Sequence, residues 1–397
     1  MSPLATRHSG RNPLKDRVAV AGIGSTGFSR SSDRTPLANA IQAATAAVRD
    51  AGLTAADIDG IVMPGEPGGP GPNVVASALG LARVSHFSRT APVAMFAFAD
   101  AVHAVFAGAC DSALVVYPYM RLPWASRQAA NDPFRRHMAV GMATVPESIA
   151  NAAGYAAWAS RYLAEYGVSR DAFARVAVNM RANAARNELA AITTPLTIAD
   201  YYEARMIREP LGMLDMDLPV DGADAFVITT TERARDLRQP PVLVHAATTG
   251  LVTPNDEDQL PGLDHHGQHV VIDALRARSD FWIDGLDVYC PYDGFTVITA
   301  TWIENAGWCG PGEAGAFLAQ HWDEASGRVL IDGRIQVNPH GGSLSEGATR
   351  GSGHLREAVV QLRGQAGVRQ TPDARTALVT TGGFFFNSQG ATLRADD

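Results

Sequence analysis

Apolar, β-branched runs alternate with helical stretches along most of the chain, and this alternation limits the possible folds more than any other feature. "RVAVAGIG" (17–24) reads as a buried strand. "TPLANAIQAATAAVRDAG" (35–52) reads as a helix, with Thr35 as N-cap, Pro36 at the first helical position and Gly52 past the end. "IDGIVMPG" is a second strand, "PVAMFAFADAVHAVFAGA" (92–109) a buried helix, and "DSALVVYPY" the strand that follows it. The theme returns as "GADAFVITTTERARDL", "PVLVHAATTG", "HVVIDALRARS", "LDVYCPY", "FTVITATWIENAG" and a last strand, "TALVTTGGFFF". Strands this continuously apolar are covered on both faces, so the sheet is parallel or mixed with helices on each side. Residues from about 120 to 210 read differently: they are helical, rich in Ala, Arg and Asn, and broken by loops. The expectation is an α/β protein of two similar halves, 1–240 and 241–397, with a mostly helical loop domain inserted at about 120–210. At 397 residues the chain is too long for one small core and suits two packed halves.

Composition excludes several functions. A net charge of −8 argues against a nucleic-acid surface. No run of apolar residues is long enough to span a bilayer, and the N-terminal lead has no apolar core of the signal-peptide kind. Three cysteines, Cys110, Cys290 and Cys309, make no disulfide framework and point to the cytoplasm. Only one of the 33 basic side chains, Lys15, is a lysine, and it sits in the polar lead. A buried Schiff-base lysine is therefore not available as an electron sink.

Several motifs are weaker than they look. "GIGSTG" (22–27) fits the dinucleotide glycine pattern, but "FSRSSDR" separates it from the helix that would hold the phosphate. "HHGQH" (265–269) places His265 and His269 four apart, yet nothing nearby completes a metal site, so a loop and helix start is the simpler reading and no metal is expected. Cys290 ends a strand beside Tyr292 without a basic neighbour to activate it.

Two stretches carry more. "YCPYDGF" (289–295) places Tyr292 and Asp293 at a strand's carboxyl end, the edge where open α/β sheets bind ligands; packing of the ring and capping by the aspartate is the competing reading. "VNPHGGSLSEGATRGSGH" (337–354) holds five glycines and two histidines between a strand and a helix. Glycines let the backbone approach a ligand and leave N–H donors at a helix start for a phosphate or a thioester oxygen.

The last stretch, continued as "NPHGGSLSEGATRGSGHLREAVVQLRGQAG", resembles the glycine–histidine segment of the thiolase superfamily. "VAVAGIGSTGFSR", "EPLGMLDMDLPVDGADAFVIT" and "YDGFTVITATWIENAGWCGPGEAG" are similar to further segments of that family, closest in wording to its sterol-carrier, lipid-transfer branch. The resemblance implies a thiolase fold, two α/β halves in a five-layer arrangement. It also implies that the thiolase catalytic residues are replaced: the nucleophilic cysteine falls near Ala91, the histidine of the Gly-His-Pro segment on Ala348, the second cysteine on Thr380, and a loop asparagine on Tyr292. Without that Cys-His pair no acyl-enzyme forms by the thiolase route.

A subgroup without those cysteines, the aldolases of bacterial steroid side-chain degradation, is similar at Tyr292-Asp293-Gly294-Phe295 and at Leu344, Ser345, Glu346, Gly351 and His354. It usually carries a second active-site tyrosine, at the position of Ala348 here. The resemblance implies retro-aldol cleavage of a β-hydroxyacyl-CoA to a ketone and a shorter acyl-CoA. It further implies no cofactor beyond the CoA thioester, a homodimer, and a small partner with an OB-fold and a zinc ribbon. Tyr292, Asp293 and His354 would be catalytic. His340, Gly341, Gly342, Ser345, Ala348, Gly382 and Gly383 would line the substrate site, with the glycine turns as oxyanion donors. A phenol titrates near about 10, so Tyr292 would need a neighbour such as His354 or His340 to act as base. Two other functions fit the same residues: acyl transfer or condensation in secondary metabolism, using Cys290 or a water-based route, and a non-catalytic acyl-CoA-binding subunit.

Overall fold

The computed structural model describes residues 10–65, 69–91, 93–121, 152–253, 262–384 and 388–396. Part of the expected loop domain, 122–151, lies outside them, as do Pro92 and the last two phenylalanines of "TALVTTGGFFF". The first half supplies strands β1 (Val18–Ser29), β2 (Gly60–Pro64), β3 (His86–Thr90) and β4 (Ser112–Tyr119). A small hairpin of β5 (Met206–Arg208) and β6 (Leu211–Gly212) precedes β7 (Asp221–Thr230). The second half supplies β8 (Val242–Gly250), β9 (Val288–Cys290), β10 (Trp322–Asp323), β11 (Arg328–Ile331), β12 (Ile335–Val337), β13 (Thr376–Thr381) and β14 (Ser388–Ala395). Twelve of these form one mixed sheet in the order β10-β11-β12-β9-β13-β14-β8-β1-β7-β4-β2-β3. Within the sheet the halves pair through β1 and β8, where Ala19 lies opposite Leu243 and Val20 opposite Val242.

Alternation along each strand sends side chains to two different cores, which builds the layers. Ala19, Ile61, Leu114 and Val227 pack under the Pro36–Asp50 and Pro72–Leu79 helices. Their neighbours Val20, Val62, Val115 and Ile228 point the other way, into a middle core with Val288, Val379 and Leu393 of the second half. The Ala94–Phe106 and Ser352–Leu362 helices fill that middle core. Tyr289, Leu378 and Val337 face outward again, under the Thr296–Ala306 and Gly267–Arg278 helices and the loop-domain helices Ala152–Tyr166 and Asp171–Ala184. Helix, sheet, helix, sheet, helix is the five-layer order of a thiolase fold.

Local signals fare as their chemistry dictates. The Thr35 hydroxyl accepts from Ala38 N at 3.1 Å, and Gly52 is left-handed. "GIGSTG" lies wholly inside β1. A Cβ on Gly22 or Gly24 would come within 2.3 Å of Ala47 O or 2.2 Å of Ala43 O, so these glycines seat a helix on the strand rather than a phosphate. His265 precedes the Gly267–Arg278 helix instead of sharing a face with His269, and His266 is the buried N-cap residue. "DSALVVYPY" is flanked by β2 and β7, so it is no sheet edge; β3 holds that edge, with Phe87 exposed. The last strand stops at Thr381, and β14 follows as a central strand that the sequence pattern does not announce.

Candidate active site

Tyr292 follows β9, and Thr299 in the next helix donates its hydroxyl to the Tyr292 carbonyl at 3.2 Å. The phenol ring lies over Gly294: a Cβ there would sit 2.6 Å from Tyr292 Cε1 and 3.1 Å from its hydroxyl. Tyr292 is 8% exposed, whereas Asp293, His340 and His354 are at 0%. The phenol is thus the outermost of the four.

Asp293 is the hub below it. Its Oδ1 accepts the Ser343 N–H at 2.7 Å and meets His354 Nε2 at 2.9 Å, and its Oδ2 accepts the Leu344 N–H at 3.1 Å. Buried donors aimed at one carboxylate make charge-assisted bonds, about twice as strong as neutral ones. Asp293 therefore positions His354 and pins the glycine turn. The His354 ring lies 5.6 Å from the Tyr292 ring and 4.7 Å from the His340 ring, centroid to centroid. Burial, with His354 and Arg356 close by, holds the His340 imidazole well below its usual range, so it is neutral at pH 7.

The turn's glycines serve packing. Gly341 has φ +101°, and a Cβ on it would fall 2.5 Å from Ala184 Cβ. Gly342 has φ +60°, and a Cβ there would fall 2.0 Å from Asp293 Oδ2. The Gly341 N–H donates to Asn338 O at 2.9 Å, and the Ser343 and Leu344 N–H groups serve Asp293. Two of the turn's donors are thereby taken by a side-chain carboxylate. Gly382 and Gly383 are buried; their carbonyls accept from Trp302 Nε1 at 3.0 Å and Ser388 Oγ at 2.5 Å, and Tyr155 closes on the Cα of Gly383. Ser345 accepts from Arg181 Nε at 3.0 Å, which anchors the turn to the loop domain. Ala348 is half-buried and donates its N–H to Leu218 O at 2.8 Å.

Sequence reading missed three supports. Asn179, Asn183 and Asn187 stand four apart on or just past the Asp171–Ala184 helix and donate respectively to Val337 O, to Val337 O and Asn338 O, and to His340 O. Their spacing in "VNMRANAARN" was a readable sign of one polar helix face. The 216–218 segment clasps both loops: Asp217 N–H meets Gly294 O at 3.0 Å and Leu218 N–H meets Ser343 O at 2.9 Å. Finally, Arg356 is buried between Asp224 of β7 and Glu346 of the turn, tying the two halves together under the site. No strand or helix pattern foretold that bridge.

All three cysteines are free. Burial pushes the Cys290 thiol well above its usual value, with Glu357 and Asp293 adding to the effect, and pushes Cys110 and Cys309 up to about 12. No group of three or more His, Cys, Asp or Glu side chains suited to a metal occurs among the described residues. No helix among them is long and apolar enough to cross a membrane.

Residues 275–395 match the family model "Thiolase C-terminal domain-like". A solved acetyl-CoA acetyltransferase from Syntrophomonas wolfei, 16% identical, superposes with a TM-score of 0.67 over 96% of this chain and 100% of its own, which is a likeness of fold. The class is a thiolase-fold protein. The chain is 33% identical to a "Steroid side-chain-cleaving aldolase" from Thermomonospora curvata, over 93% of this chain and 96% of the relative. It is also 33% identical to a "17-hydroxy-3-oxo-4-pregnene-20-carboxyl-CoA lyase" from Mycobacterium tuberculosis, over 93% and 97%. The structure described as "Ltp2-ChsH2(DUF35) aldolase" superposes with a TM-score of 0.84 at 31% identity, covering 96% of this chain and 99% of that one. The chain belongs to the steroid side-chain-cleaving aldolase family of the thiolase superfamily.

Proposed function

We propose that this chain is a carbon–carbon lyase that cleaves a β-hydroxyacyl-CoA on a steroid side chain, by retro-aldol reaction, to a ketone and a shorter acyl-CoA. The observation that carries the reading is a phenol set over a buried Asp293–His354 pair, in a thiolase fold whose thiols are all held protonated. A base takes the proton of the β-hydroxyl, the Cα–Cβ bond breaks, and its electron pair passes into the thioester as an enolate. The α-carbon then takes up a proton. Tyr292 carries one of these proton transfers, and His354, held by Asp293, supports it. The thioester is the electron sink, so no further cofactor is required. Acyl transfer by way of Cys290 needs its thiolate, which burial disfavours.

The relatives' assembly suggests a partner subunit, for which a small OB-fold, zinc-ribbon protein is the candidate. A homodimer would join at the exposed β3 edge, and the complex would act in the cytoplasm. The test is direct. The chain, with whatever subunit co-purifies, is incubated with a 17-hydroxy steroid bearing a β-hydroxyacyl-CoA side chain, and products are resolved by liquid chromatography and mass spectrometry. Equimolar 17-ketone and shortened acyl-CoA support the reading. Acyl transfer to free CoA, or no turnover, refutes it.

A further inference from the structure

Where the loop domain meets β11 and β12, a group of arginines takes no part in the mechanism above. Arg186 lies just past the Asp171–Ala184 helix, and Arg328 opens β11. Both are half-buried, and both send a guanidinium to the same acceptor. Arg186 Nη1 donates to Gln336 Oε1 at 3.1 Å, and Arg328 Nη1 donates to that oxygen at 3.2 Å. Gln336 is buried, and its own amide is spent on Arg369 O at 2.7 Å and Thr371 Oγ1 at 3.1 Å. Arg186 Nη2 donates to the carbonyl of Val368, a residue 73% exposed, so the place is open to water.

The charges here do not balance. A third guanidinium, Arg369, donates to Arg186 O at 3.4 Å, but it is paired with Glu357 at 3.0 Å. Arg186 and Arg328 have no ion pair among the described residues. Of the nearby carboxylates, Glu357 serves Arg369 and the Gln361 amide. Asp323 lies opposite Arg328 in the β10–β11 hairpin and takes the Ser326 hydroxyl. Burial, with Arg328 and Arg369 close by, holds the Arg186 guanidinium below its usual value, and burial does the same to Arg328. Two cations drawn to one neutral oxygen repel each other, and more strongly when half removed from water. Arg328 uses only Nη1, so its Nε and Nη2 make no hydrogen bond among the described residues; Arg186 leaves its Nε. Charged, planar donor forks brought together in this way are the chemistry that recognises phosphate.

We propose that Arg186 and Arg328 form a binding site for a phosphate group, seated between their guanidiniums beside Gln336. The phosphate supplies the negative charge that the chain itself does not place there, and its several oxygens accept from both arginines at once. The group comes either from free phosphate or from the phosphates of a coenzyme A ester. The site borders the support of the active site at one point: Asn187, next in sequence to Arg186, holds the His340 carbonyl at 2.8 Å. Neither arginine belongs to the catalytic machinery, so the proposal does not rest on the aldolase reading, and binding is read without turnover.

The test titrates inorganic phosphate into the full chain by isothermal calorimetry, with ionic strength held constant by chloride so that screening does not change. Wild type should bind phosphate saturably. The double variant Arg186→Gln, Arg328→Gln, shown to be folded by circular dichroism, should bind it about tenfold more weakly or worse. No saturable binding to wild type, or equal affinity in the folded double variant, overturns the site. If the double variant does not fold, Arg328→Gln alone is read the same way, since its one side-chain bond is to Gln336. Coenzyme A, titrated likewise, separates the two sources once phosphate binding is established. Affinity for coenzyme A about tenfold weaker in the folded variant assigns the site to its phosphates. Unchanged affinity for coenzyme A assigns the site to free phosphate.

Discussion

Gly294→Ala isolates the placement of Tyr292 from everything else in the site. Gly294 has no left-handed backbone, so the substitution adds only a methyl group. That methyl would lie 2.6 Å from Tyr292 Cε1 and 3.0 Å from Cζ. Carbon atoms rest at about 3.5–4.0 Å, so the ring must retreat by about 1 Å. A misplacement of that size in reacting geometry costs ~10²-fold in rate, or about 2.7 kcal/mol of barrier. The retreat is local, since the ring keeps some solvent access, and the thermal midpoint should fall by only a few degrees. Steady-state kinetics on the steroid-CoA ester should therefore show kcat reduced about a hundredfold with KM little changed. The double variant supplies the control. If Gly294 acts only through the phenol, adding Gly294→Ala to Tyr292→Phe should cost almost nothing further, because contacting sites are not additive. Wild-type turnover in Gly294→Ala, or a full second hundredfold loss in the double variant, would refute the reasoning.

Replacing Cys110, Cys290 and Cys309 together by Ala or Ser should leave turnover within about tenfold, since cysteine thiolates take no part; abolition by Cys290→Ser alone would revive acyl transfer. Arg356→Met strands Asp224 at 0% exposure, and removing one partner of a buried pair costs about 3–5 kcal/mol. Urea unfolding checks this, and a loss under about 1 kcal/mol would contradict the bridge. Stability should also fall on acidification. His266 and His340 are fully buried and held well below 6.5, so below that value the unfolded chain binds protons the folded chain refuses. The slope approaches about 1.4 kcal/mol per pH unit for each such histidine. Urea midpoints between pH 7.5 and 5.5 should shift less in His340→Asn than in wild type, and equal shifts would refute the assignment.

The parts of this fold legible in the sequence are those with a strong single signal. Thr35, Pro36 and Gly52 bracket a helix because cap chemistry is local. β4 is legible because a strand buried on both faces is apolar throughout. β14 is not: "SQGATLRA" is short of large apolar residues, yet it lies between β13 and β8. Small residues suit it because the Gly267–Arg278 helix packs close, with Leu275 Cδ1 2.8 Å from where a Gly390 Cβ would stand. At the site, Tyr292, Asp293 and His354 were found by resemblance and do cluster. A side chain at Gly341 or Gly342 would run into Ala184 or Asp293, a packing constraint that no one-dimensional pattern can reveal. The Arg356 bridge joins residues 10 and 132 positions apart, beyond any local signal.

Tyr292→Phe on the steroid-CoA ester tests the central claim most directly. Phenylalanine keeps the ring that packs on Gly294 and faces His354, and removes only the hydroxyl. If that hydroxyl transfers the proton of carbon–carbon cleavage, kcat should fall by ~10²–10⁴, with KM and thermal midpoint unchanged because the loss belongs to the transition state. Ketone release at the wild-type rate from a folded Tyr292→Phe chain would contradict the mechanism and leave Tyr292 a packing residue.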